Sequence, residues 1–147
     1  MTIKEYMSNN HKECDELLAL LESAVEKGNW DNAVELNEKF KNETLKHFEM
    51  EENYLFPMFD EKASTGGCGP TQVMKMEHEQ ARTVFPKIEE SLKEKDSDRF
   101  FGLSESIMIL IQQHNSKEEQ MLYTMIQNLL NNENDTIVDG LKSYEQK

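Results

Sequence analysis

Apolar residues recur along this chain at three- and four-residue intervals with polar residues between them, the spacing of amphipathic helices. Three short breaks interrupt the pattern, at Lys27-Gly28-Asn29, from Ser64 to Pro70 and from Lys95 to Asp98, leaving four long segments. The first is predicted over about residues 2–27: Thr2 and Glu5 have capping-box spacing, and Met7, Leu17, Leu18, Leu21 and Val25 mark its apolar face. The second, about 31–63, carries Ala33, Leu36, Phe40, Leu45, Phe48 and Leu55, with Pro57 predicting a kink near its end. The third, about 70–95, opens on Pro70 as a first-turn proline, carries Val73, Met74, Val84, Phe85, Ile88 and Leu92, and must bend at Pro86. The fourth, about 97–131, can be capped by Ser97. It holds the most apolar run of the chain, Ile107 to Ile111, which predicts the most buried helix. Residues 132–147 can add a short fifth helix.

Short breaks between long helices predict an all-α protein, an up-down-up-down four-helix bundle in which residues 1–147 form one domain. A chain of 147 residues that is 37% hydrophobic can bury a continuous core, and only six Gly and three Pro favour helix over sheet. The net charge of −13 argues against nucleic acid or an anionic membrane surface as a partner, since either would need a basic face. No stretch approaches a membrane span, and residues 1–10 lack the basic start and apolar run of a secretion signal, so a cytoplasmic location is expected. Cys14 and Cys68 read as free thiols of a reducing compartment.

The chain also repeats itself at an offset of 67 residues. His11 maps onto His78, His47 onto His114, Glu51 onto Glu118, Glu52 onto Glu119, Leu55 onto Leu122 and Met7 onto Met74, which accounts for every histidine. His47 to Leu55 and His114 to Leu122 both read HxxxEExxL. Four helical residues turn through about 400°, so each His and its Glu lie one turn apart on one face, while Glu52 and Glu119 point about 100° away. In each half 36 residues separate the lone His from the HxxxE His, and the midpoints, Asn29 and Asp96, fall in predicted breaks. A hairpin folded there brings its two histidines level. Pairing the hairpins about a pseudo-two-fold axis puts four imidazoles and two carboxylates at one height inside the bundle, where bundles build metal sites. One HxxxE pair usually lies on a solvated face; two copies with matched upstream histidines point to a metal centre. Imidazole and carboxylate donors without thiolate suit iron, manganese or zinc, and six ligands suit two metals, which favours a dinuclear iron site.

With these motifs the sequence resembles the hemerythrin-like (HHE cation-binding) family, as a single-domain member of the bacterial type. The family pattern is a lone His on the first helix, HxxxE on the second, His on the third and HxxxE or HxxxxD on the fourth. The likeness spans about residues 7–126 and includes Leu55-Phe56-Pro57 after Glu51 and Met76-Glu77-His78. It implies that His11, His47, Glu51, His78, His114 and Glu118 ligate two iron ions, with Glu51 and Glu118 bridging them beside an oxo or hydroxo group. One position departs: oxygen-carrying members have HxxxH on the third helix, and this chain has His78 followed by Arg82, which offers no lone pair. The resulting count leaves each iron about one donor short of six, open to a small partner such as dioxygen, peroxide or nitric oxide.

That openness disfavours a pure reversible carrier, whose chemistry benefits from one saturated iron, and favours sensing, detoxification or repair; the first reading is a binding protein that takes the small ligand for sensing, storage or delivery. The alternative is an enzyme, a di-iron oxidase or peroxidase, or one that detoxifies nitric oxide or repairs iron–sulfur clusters, drawing on an electron donor that the sequence does not identify. Iron storage is a weaker third reading, and the oligomeric state is left open, a monomer included. Tyr54, seven residues after His47, lies on the ligand face of an ideal helix and could reach the metal, though a half-buried structural tyrosine is the simpler account. Cys14, Met7 and Met74 read as core filler, Cys68 as an unassigned thiol, and some of Phe40, Phe48, Leu110, Ile111 and Leu122 as the apolar wall of the site.

Overall fold

Thr2 and Glu5 cap the first helix reciprocally. The Thr2 hydroxyl accepts the Glu5 backbone N–H at 3.0 Å, and the Glu5 carboxylate accepts the Thr2 N–H at 3.3 Å. From this start α1 runs Ile3–Glu26, in a computed structural model that describes residues 1–64 and 69–147. The described residues are almost entirely helical, with no strand among them.

Gly28 turns the chain with φ at 71°, a conformation that costs a residue without a Cβ little, and Asn29 caps α2 (Trp30–Met50) through the Asn32 N–H. The second arm then loosens into a five-residue π-turn, Glu51–Leu55, before α3 (Phe56–Ala63), which carries Pro57 in its first turn. The third arm is two helices, α4 (Pro70–Arg82) and α5 (Phe85–Lys93), because Pro86 has no N–H to continue the ladder and the chain breaks at Thr83 and Val84 just before it. Asp96 begins the fourth arm: its carboxylate, in place of the expected Ser97 hydroxyl, accepts the Arg99 N–H at 3.1 Å. Here α6 (Ser97–Lys117) passes into a second π-turn, Glu118–Leu122, and then α7 (Tyr123–Leu130). The two π-turns stand 67 residues apart, so the repeat extends to the backbone.

A 3₁₀ turn at Asn131–Glu133 leads into α8 (Asn134–Glu145). Ile137, Val138 and Leu141 of α8 are buried with Ile3, Met7 and Leu55. Asn134 ties this helix to the chain start, accepting the Ile3 N–H at 2.9 Å and donating to the Met1 carbonyl at 3.0 Å. Gly140 faces the Tyr54 ring so closely that a Cβ there would lie 1.9 Å from Tyr54 Oη.

The apolar run of α6 is not the buried stretch that its composition predicts. Ile107 and Ile111 are buried, but Met108 is 39% and Ile109 47% exposed. Five successive helical residues sweep about 400°, so only those one turn apart can face the same core. Buried apolar side chains form two clusters. One gathers Ile3, Met50, Phe56, Leu122, Ile126 and α8; the other gathers Leu21, Phe40, Phe85, Ile88, Phe100 and Ile107. Full burial of such a side chain contributes roughly 1.5–3 kcal/mol. Neither cluster includes the six buried His and Glu residues of the repeat. No described helix is long and apolar enough to cross a membrane.

Candidate metal centre

All six residues singled out by the repeat are buried, and Glu51, His78 and Glu118 have no exposed surface. Their donor atoms meet. His11 Nε2 is 3.0 Å and His114 Nε2 3.2 Å from Glu118 Oε1; His78 Nε2 is 3.1 Å and His47 Nε2 3.5 Å from Glu51 Oε1. His11 and His47 pair with ring centroids 4.6 Å apart, and His78 and His114 at 4.7 Å. The arrangement holds two groups able to take a cation, Glu51-His78-His114-Glu118 and His11-His47-Glu118, which share Glu118.

The outward nitrogen of every imidazole is tied. His11 Nδ1 meets Glu119 at 2.9 Å and His78 Nδ1 meets Glu52 at 2.6 Å, each carboxylate reaching across from the other hairpin. His114 Nδ1 meets Glu77 at 2.9 Å and His47 Nδ1 meets Asn10 Oδ1 at 2.6 Å, within one hairpin. Four acceptors outside hold the Nδ1 protons and turn four Nε2 atoms inward, the arrangement that orients imidazoles on a metal.

The interior is poorly satisfied by protein alone. His78 Nε2 and His114 Nε2 face each other at 3.2 Å, while Glu51 Oε1 and Glu118 Oε2 are buried with no hydrogen bond. Unpaired buried carboxylate oxygens are costly, and a shared cation would satisfy both. Burial and the neighbouring Glu118 push Glu51 up to about 8, whereas against its burial His114, Glu51 and His11 hold Glu118 well below the usual carboxylate range. Burial works against the charged form of His11, but Glu118 and Glu119 outweigh it and lift this imidazole to about 10. Glu51 and Glu52 likewise lift His78 to about 9. His47 is driven well below its ordinary value by burial and by His11. A cation bound here would compete with protons for these donors. The donor set fits a metal.

A seventh polar group enters the centre, and the sequence pattern does not show it. Tyr123 is fully buried, and its Oη lies 2.8 Å from Glu51 Oε2 and 3.0 Å from Glu118 Oε1. Five residues of regular helix would leave it about 140° from Glu118. The π-turn supplies one more residue per turn, and the Tyr123 N–H bonds the Glu118 carbonyl, which stacks the two on one face. The same device turns Tyr54 away: it is half-buried beneath α8, off the ligand face where an unbroken helix would put it. The repeat offset could have drawn attention to Tyr123, since it pairs with Phe56 in the first half.

Arg82 grips the outer carboxylate Glu52 and takes no part in the inner cluster. Cys14 is buried, its thiol pushed up to about 12 by burial, a core residue; Cys68 lies outside the described residues. Met7 and Met74 are buried in the core beside α8. Phe48 forms part of the wall, stacked on His78 at 3.9 Å, and Ile111 lines a small cavity with it beside His11 and His47, whereas Phe40 packs on Phe85 in the distant cluster.

A buried imidazole–carboxylate cluster in the middle of a helical bundle, every imidazole braced from outside, defines a metal-cation-binding protein. The hemerythrin HHE cation binding domain matches residues 2–126, nearly the whole chain, and the chain belongs to that family, whose typical metal is iron. No curated protein and no solved structure matches it.

Proposed function

We propose that His11, His47, Glu51, His78, His114 and Glu118 hold two iron ions within a bundle whose arms run up, down, up and down, and that the centre binds dioxygen, peroxide or nitric oxide in sensing, storage or delivery. The observation that carries this reading is the convergence of four braced Nε2 atoms on two buried carboxylates with unsatisfied oxygens. Two imidazoles serve each ion and the two carboxylates lie between the pairs, so each metal draws its histidines from one hairpin. Iron held so supplies redox change between ferrous and ferric states and affinity for small oxygen- or nitrogen-donor ligands. The protein supplies the rest: Phe48 and Phe56 place hydrocarbon beside His78, and the outer carboxylates fix the imidazoles.

The test is metal content together with the ultraviolet-visible spectrum of aerobically purified protein, before dithionite, after it, and after air returns. Two irons per chain, with an oxo-bridge band that bleaches and returns, is the expected result. A persistent oxygenated form would point to carriage, and rapid turnover with a reductant to an enzyme. No iron, or zinc alone, would overturn the reading.

A further inference from the structure

Tyr123 occupies the position of a metal donor. Besides its contacts to Glu51 and Glu118 at 2.8 and 3.0 Å, its Oη lies 3.1 Å from His11 Nε2 and 3.2 Å from His47 Nε2. A phenol has one proton, so it cannot donate to both carboxylates at once. Another meaning suits these distances. First-row ions hold nitrogen and oxygen donors at about 2.1 Å, so donors at right angles sit about 3.0 Å apart and opposite donors about 4.2 Å. A ligand in an octahedral shell has four neighbours at the shorter separation, and Tyr123 Oη has four. His11 Nε2 to Glu118 Oε1, at 3.0 Å, is a further edge of that kind, and His47 Nε2 to Glu118 Oε1, at 4.0 Å, has the length of a diagonal.

We infer that the Tyr123 phenolate is a fifth protein ligand to the metal held by His11, His47, Glu51 and Glu118, leaving the metal of His78 and His114 as the one open to an exogenous ligand. The inference rests on the two-metal reading above and makes the two sites inequivalent. Ligation replaces the phenol proton by the metal, releases that proton to solvent and moves no electron. At the corresponding place in the other half stands Phe56, whose ring lies parallel to His78 with centroids 6.3 Å apart and offers no donor atom. The six-residue count leaves each metal one donor short; Tyr123 closes one vacancy and Phe56 leaves the other. The outer partners differ in the same sense. Of the two imidazoles beside the phenol, His11 is braced by the Glu119 carboxylate and His47 by the neutral amide of Asn10, whereas His78 and His114 are both braced by carboxylates, Glu52 and Glu77. A metal that already has an anionic phenolate is thus paired with the less basic imidazole.

Wild-type and Y123F proteins loaded with iron and oxidised by air decide the matter by visible absorption and resonance Raman, with iron per chain measured on the same samples. The wild type is expected to show a phenolate-to-iron charge-transfer band with tyrosinate ring vibrations, and Y123F to bind two irons without either signal. Azide titration should reach one per iron pair in the wild type and two in Y123F. Two irons in the wild type with no phenolate signal, or a signal that survives in Y123F, would overturn the ligation. Absence of iron from the wild type would sink the two-metal reading itself. Should Y123F not fold, the wild-type spectrum decides alone.

Discussion

Arg82 holds Glu52 with both terminal guanidinium nitrogens, at 2.9 and 3.0 Å, and Glu52 in turn holds His78 Nδ1 at 2.6 Å. The residue that breaks the likeness to the oxygen carriers therefore braces an imidazole from one shell further out. Bidentate geometry matters here, since lysine would offer a point charge in place of a fork. Loss of such outer partners typically weakens metal binding about 10–100-fold. E52Q and R82A should fall in that range, with R82A the milder, when metal affinity is measured by competition with a chelator. Wild-type affinity in E52Q would show that the bridge is ornamental.

The same contacts set a pH dependence. Burial works against its charge, yet His78 and Arg82 hold the Glu52 carboxyl down at about 2. A carboxyl whose folded value is depressed contributes stability that is complete above its unfolded value and is lost as pH falls toward the folded one. Metal-free wild type should therefore lose stability between about pH 4.5 and pH 2 more steeply than E52Q, as seen by circular dichroism melts across that window. Parallel curves would refute the contribution.

His114→Ala removes one imidazole and leaves Glu77 and Lys117, ion-paired in the wild type, facing an empty position. Iron per chain should fall, and the stabilisation that iron confers should go with it. A ligand present at about a hundred times its dissociation constant stabilises by about 2.7 kcal/mol, so the gain in melting temperature on iron loading should shrink by on the order of 5–10 °C. Equal gains in variant and wild type would remove His114 from the ligand set.

Gly140 and Tyr54 are pressed together, and the Cβ of alanine at Gly140 would meet the Tyr54 hydroxyl oxygen and two of its ring carbons within 2.9 Å. Alanine is the better helix former, yet the clash should dominate and cost about 1–3 kcal/mol. Urea unfolding of G140A, Y54A and the double variant should show strong non-additivity, with Y54A relieving much of the damage. Additive effects would mean that α8 adjusts freely.

The metal-binding face was legible because His47 to Glu51 and His114 to Glu118 lie on regular helix, where a fixed rotation per residue holds. Beyond each Glu the backbone gains a π-turn, and from there an ideal helical wheel is out of phase, favouring Tyr54 and passing over Tyr123. Glu52 and Glu119 were seen to leave the inner face, but which imidazole they would meet depends on how the hairpins pack, and local periodicity carries no such information. The exposed half of the Ile107–Ile111 run shows the opposite error, composition taken as burial where rotation decides.

The two π-turns begin at corresponding residues, Glu51 and Glu118. The backbone irregularity is common to both halves, whereas the side chains at the paired positions Phe56–Tyr123 and Asn10–Glu77 differ. Because both halves belong to one chain, a side chain can differ in one half alone, so a nearly symmetric backbone can hold two positions with separate tasks.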